Sequence, residues 1–171
     1  MKTSMDKTIR AIQFIEDKHY GQRRKFSGLP YIVHLFNVYA IAKEYKHSTH
    51  QDDISAICLL HDTLEDTDTT VEELTFEFGP LVANTVAELT NDRAKIAQIG
   101  KTKYVDEKLL TLSNYALVVK LADMLANIID HPQFSTLQRI SHHIEFLKAH
   151  RKLTPSQQKI TNHIEEYLCK I

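Results

Sequence analysis

A chain of 171 residues, 43% hydrophobic and 25% charged, has the composition of a soluble globular protein and the length of one domain, 1–171. A net charge of −1 and a pI near 6.8 exclude bulk electrostatic partners such as nucleic acid or an anionic membrane surface. The first ten residues hold no signal-peptide core, no apolar run approaches a membrane span, and Cys58 and Cys169 show no CxxC spacing, so the expectation is a cytoplasmic protein with free thiols.

With only 4 Gly and 4 Pro, the composition leans to helix. The periodicity predicts a first helix over 4–19, with Met5, Ile9, Ile12 and Ile15 on one face. "GQRRKFSGLP" breaks the pattern, and a second helix follows Pro30. A third is expected from about Asp52 to Leu64–Asp66. Thr70 and Glu73 form a capping box for a short fourth helix that Gly79 ends, and Pro80 opens a fifth. Residues 91–100 read as irregular, with a helix over about 102–112 after them. Ser113 caps the apolar "NYALVVKLADMLANIID", one helix covers about 136–151, and Thr154-Pro155 opens the last. The expectation is an all-α bundle of eight or nine helices with no strand.

"LLHDTLED" at 59–66 is the stretch that stability alone does not explain. On a helix, residues four apart share a face, which stacks His61 over Glu65 and Asp62 over Asp66. Each carboxylate at a helix C-terminus costs about 0.3–1 kcal/mol against the macrodipole. A solvated acidic helix end is one reading. A bound divalent cation is the other, and mixed imidazole and carboxylate donors suit Mn²⁺, Mg²⁺, Fe²⁺ or Co²⁺.

The helix over 113–130 adds an independent clue. Leu117, Val118, Leu121, Met124, Leu125 and Ile128 make it apolar nearly all round, which marks a buried rod. Lys120, Asp123 and Asn127 nevertheless form a polar stripe on it, and buried charge must be paired, hydrogen-bonded or metal-bound. A plain Lys120–Asp123 pair satisfies that rule, as does a metal site completed by Asp123. His34 lies among Val33, Leu35 and Val38, where a lone histidine is ordinarily a satisfied core residue.

The ordered set His34, His61-Asp62 and Asp123 resembles the metal-binding signature of the HD phosphohydrolase superfamily. More narrowly, "HYGQRRKFSGLPYIVH", "AICLLHDTLEDTDTTVEELTFEFGPLV", "ELTND" and "VVKLADMLANIID" resemble the hydrolase domain of RelA/SpoT-type alarmone enzymes and the small alarmone hydrolases. The resemblance implies an all-α, Mn²⁺-dependent enzyme that removes the 3′-pyrophosphate of guanosine tetra- or pentaphosphate (ppGpp, pppGpp). It implies His34, His61, Asp62 and Asp123 as metal ligands and Glu65 and Asp66 as the catalytic acids. Arg24, Lys25, Asn127 and Arg139 become nucleotide contacts. Leu35, Met124 and His143 depart from the family's Pro, charged residue and Tyr, which bears on substrate preference more than on activity.

Such chemistry is metal-assisted phosphoester hydrolysis, with Glu65 and Asp66 orienting water and taking its proton. Lys101 and Lys103 are further candidates to approach the substrate. The chain ends at Ile171, without room for the synthetase and regulatory modules of bifunctional relatives, so the expectation is destruction of alarmones only. The alternative is an HD-type phosphohydrolase of another phosphorylated nucleotide, such as the 2′-phosphate of NADPH or a nucleoside monophosphate. A third reading is a nucleotide-binding module without activity. The expected partner is a small nucleotide, with homo-oligomer formation left open.

Overall fold

Local signals begin and end the helices. The computed structural model describes residues 4–46, 48–130 and 133–170, and the side chains from residue 7 onward within them. The helices are α1 (Ser4–Lys18), α2 (Ile32–Tyr45), α3 (Gln51–Leu60), α4 (Thr63–Asp66), α5 (Val71–Phe78), α6 (Pro80–Leu89), α7 (Arg93–Ile99), α8 (Lys101–Thr111), α9 (Asn114–Ile129), α10 (Phe134–His150) and α11 (Pro155–Leu168). Nine of these have eight or more residues, which agrees with the expected bundle. No strand occurs among the described residues, only an isolated antiparallel bridge between Arg23 and Pro30.

The cap residues are those the sequence announces, although of the box expected between Thr70 and Glu73 only the Thr70 half is formed. Thr70 accepts from the Glu73 amide, Ser113 from Ala116, and Thr154 forms a full capping box with Gln157. Gly79 and Gly100, at φ 87° and 84°, each end one helix and begin the next, a backbone turn that a side chain would strain.

Three expectations need correction. Residues 93–99 are helical, with Asp92 accepting from the Lys95 amide as N-cap and Gly100 as the stop. No residue of the segment is fully buried, Ile96 and Ile99 only packing partly against the core, so its apolar signal is weak. The third helix does not run through to Asp66. It stops at Leu60, His61 and Asp62 form a turn, and α4 restarts at Thr63. The buried face of α1 consists of Ala11 and Ile15 with Ile12 packed against them, whereas Ile9 is 48% exposed; Met5 lies outside the described side chains.

The core forms around α9, which packs against α2, α3, α6 and α11. Leu117, Leu121 and Leu125 are fully buried on it. On the other side, α3 packs on α1, α2 and α6. This sandwiching places the polar stripe of α9 opposite the C-terminal end of α3 and the first turn of α2.

Candidate metal centre

Each donor arrives by a different route. His34 stands in the first turn of α2, is buried, and presents Nε2 3.2 Å from Asp123 Oδ1. His61 sits in the turn that ends α3, and its Nδ1 donates to the Cys58 carbonyl at 2.8 Å. That backbone bond fixes the tautomer and leaves Nε2 as the free donor atom. Asp123 comes from the middle of α9 and is buried.

His34, His61 and Asp123 offer ligand atoms that all lie within 4.8 Å of one another. Asp62 borders this group rather than completing it at the same spacing. Its Oδ2 lies 3.1 Å from His61 Nε2 and 3.8 Å from His34 Nε2.

The polarity of the cluster calls for a cation. His61 Nε2 is buried without a hydrogen-bond partner, as is His34 Nδ1. A neutral His61 would aim its lone pair at the carboxylates of Asp62 and Asp123. Burial lowers its pKa, but Asp62 and then Asp123 outweigh burial and raise it to about 9. A proton or a metal ion relieves the same conflict, so the residues present fit a divalent ion. A buried carboxyl is normally harder to ionise, yet Lys120, with His34 and His61, holds Asp123 well below its usual range.

The supporting residues explain the stripe. Lys120 Nζ donates to Asp123 Oδ2 at 2.8 Å, and Asn127 Nδ2 donates to Asp123 Oδ1 at 2.6 Å. The Lys–Asp pair and the metal group therefore coexist on one carboxylate. Arg24 extends the chain outward, donating from Nη2 to Asn127 Oδ1 at 2.6 Å and from Nε to Asp130 Oδ2 at 2.8 Å. Its guanidinium is thus turned onto α9, while Lys25 is exposed with its ammonium 5.7 Å from the Phe26 ring centroid.

The paired acids diverge. Asp66 and Asp62 meet at the Tyr31 hydroxyl, which lies 3.1 Å and 2.7 Å from their Oδ2 atoms. Burial and then the Asp62 charge raise the Asp66 pKa. Glu65 turns instead to Asn91, whose Nδ2 and backbone amide lie 2.9 Å and 3.2 Å from Oε2. Tyr31 and Asn91 fall in the "GQRRKFSGLPYIVH" and "ELTND" segments, but nothing in their residue types assigns them these roles. Both contacts join positions far apart in the chain.

A cavity of about 130 Å³ adjoins the centre, lined by Lys101, Lys120, Asp123, Asn127, Arg139 and His143 among others. Arg139 is exposed at its rim. A larger hollow of about 480 Å³ lies between the end of α1 and the loop before α2, but its walls include none of the four candidate ligands.

Two imidazoles and a buried carboxylate, brought together from three helices of an all-α core, form a candidate site for a divalent ion. The model of the HD domain family matches residues 11–166. The guanosine-3′,5′-bis(diphosphate) 3′-pyrophosphohydrolase MESH1 of Danio rerio is 36% identical over 143 residues, 81% of this chain and 78% of that protein. The Homo sapiens protein of the same name is 38% identical over 125 residues, 71% of this chain and 68% of that one. A guanosine-3′,5′-bis(diphosphate) 3′-pyrophosphohydrolase of Aquifex aeolicus is 40% identical over 131 residues, where the match spans 17% of that longer protein. A solved structure described as a metazoan ortholog of SpoT that hydrolyzes ppGpp is similar with TM-score 0.70 and 28% identity, covering 96% of this chain and 92% of that one. The chain belongs to the HD domain family, and by class it is a metal-dependent phosphohydrolase.

Proposed function

We propose that the protein removes the 3′-pyrophosphate of ppGpp and pppGpp, giving GDP or GTP and pyrophosphate. The observation that carries this reading is the unpartnered His61 Nε2 opposite two carboxylates, beside a cavity walled by cations. The names of the MESH1 relatives supply the substrate.

In the proposed reaction water attacks the phosphorus attached to the ribose 3′-oxygen. The bond from that oxygen to phosphorus breaks, and the 3′-oxygen leaves with a proton. His34, His61, Asp62 and Asp123 would hold a divalent ion, Mn²⁺ by resemblance. When bound, that ion supplies charge neutralisation at the phosphate and makes water more acidic. Glu65, fixed by Asn91, and Asp66, fixed by Tyr31, are the groups that orient the attacking water and take its proton. Burial and the Asp62 charge raise the Asp66 pKa, which makes it a stronger base than an ordinary aspartate. Lys120 keeps Asp123 ionised and Asn127 keeps it oriented. Arg139 and Lys101 at the cavity offer positive charge to the remaining phosphates. Arg24 and Lys25 stay candidates for the nucleoside, Arg24 through the edge not spent on α9.

Purified protein with Mn²⁺ is offered ppGpp, pppGpp, NADPH and common nucleotides, and the products are resolved by ion exchange. Pyrophosphate released in step with GDP from ppGpp is the expected result. Orthophosphate from another nucleotide, with ppGpp intact, would overturn the reading in favour of a different HD phosphohydrolase.

A further inference from the structure

A second histidine cluster reaches the small cavity through His143. Asp106 of α8 is buried, and its two oxygens lie 2.8 Å from His142 Nε2 and 2.7 Å from His143 Nδ1, both on α10. These three residues are the other group among the described residues whose donors lie close enough for a metal ion. The distances argue against that use. Here both nitrogen–oxygen pairs, at 2.8 and 2.7 Å, meet hydrogen-bond geometry and are closed by protons, whereas His61 Nε2 of the first centre has no hydrogen-bond partner. A carboxylate only accepts, so both imidazoles donate to it.

That bond has a consequence at the cavity. His143 is buried and lines it, with Nδ1 spent on Asp106, so Nε2 is the ring nitrogen left for a ligand. The charged groups around it are Lys101 and Asp106 from α8, Lys120 and Asp123 from α9, and Arg139 and His142 from α10. Asp106 and Asp123 are already paired, whereas Lys101 and Arg139 make the cavity a place for anions. A space of about 130 Å³ takes a phosphate group or two, not a whole nucleotide. An unprotonated Nε2 facing a phosphate oxygen sets lone pair against lone pair. A proton on Nε2 converts that repulsion into a charge-assisted hydrogen bond, with Asp106 behind the ring to stabilise the imidazolium.

We propose that His143, backed by Asp106, is a proton-linked phosphate receptor: the nucleotide's 5′-phosphates enter this cavity and the ring takes up a proton as they bind. The inference rests on the nucleotide reading above and names the role of a wall that reading leaves unused. In the free protein burial lowers the His143 pKa, with His142 and Lys120 adding to the lowering against Asp106. The ring is therefore neutral near pH 7 before ligand arrives. A pKa raised by the ligand means affinity that is full at low pH and lost as pH rises.

The test uses the Mn²⁺-loaded protein and GDP, which carries both 5′-phosphates. Calorimetry at pH 7 in buffers of low and high ionisation enthalpy counts protons exchanged on binding. Wild type should take up more protons than His143→Phe, a difference that cancels the titration of GDP itself. In parallel, KM for ppGpp should rise with pH between 6 and 8, by up to about tenfold per unit. That slope should flatten in His143→Phe and in Asp106→Asn; if the latter fails to fold, the former decides alone. Equal proton counts and parallel KM profiles, with ppGpp still hydrolysed, would overturn this inference and leave the activity standing. So would a second bound metal equivalent that Asp106→Asn abolishes. Failure of wild type to bind GDP or cleave ppGpp would remove the underlying reading as well.

Discussion

Glu65 and Asp66 are adjacent yet held by different partners, Asn91 and Tyr31, and neither is among the donors gathered around His61. Glu65→Gln should therefore keep bound metal while kcat falls by about 10²–10⁴-fold, the usual worth of a positioned acid or base. Metal analysis alongside kinetics checks it, and a wild-type rate would remove Glu65 from the chemistry. Asp123→Ala should lose metal and turnover together. Arg24 reaches Asp123 only through Asn127, so Arg24→Met should weaken metal binding by about 10–100-fold, as loss of an outer hydrogen-bond partner does. A metal titration monitored by activity would show an unchanged midpoint if the chain of bonds is unimportant. At this scale the sequence was informative where chemistry is rare: a histidine in an apolar helix, a histidine–aspartate pair, an aspartate on a buried rod. It was silent on Tyr31 and Asn91, because a hydroxyl or amide is ordinary anywhere in a chain and its partner lies 35 or 26 positions away.

Among the elements, α9 does the most to join fold and site. Leu121 is fully buried on it, and truncation to alanine should cost about 2–5 kcal/mol, read as a lower denaturation midpoint. The cap signals made most boundaries legible, since Thr70, Ser113 and Thr154 each bond the amide that their residue type favours. α7 escaped because Ile96 and Ile99 are its only large apolar residues and are only partly buried, although Asp92 and Gly100 mark its ends. Lys108 shows a different kind of support. Its Nζ lies 2.9 Å and 2.6 Å from the Leu89 and Thr90 carbonyls at the end of α6. Burial, with Lys120 nearby, lowers its pKa to about 8, below the roughly 10.4 of an unfolded chain. Between those values the unfolded state binds more protons, so this group's contribution to stability rises with pH. Denaturation midpoints of wild type and Lys108→Met should separate further, in favour of wild type, from pH 8 to 10. Parallel curves would refute that assignment.

For the molecule as a whole, the cluster of opposed donors means that the metal-free fold keeps an electrostatic conflict at its centre. An ion binding only the folded form at about 100 times its Kd adds roughly 2.7 kcal/mol. Chelation should accordingly lower Tm by about 5–10 °C for a protein of this size, and identical melts with and without Mn²⁺ would contradict the site. The break between α3 and α4 carries a further implication for how such a chain can change. His61 and Asp62 stand in a two-residue turn between α4 and α3, whose buried face is already committed to α1, α2 and α6. One residue inserted upstream in α3 would rotate the pair by about 100°, swinging imidazole and carboxylate away from Asp123 while leaving composition almost untouched. An apolar exchange along α3 can thus leave the donors in register, whereas a change in its length cannot, so the spacing itself carries the site.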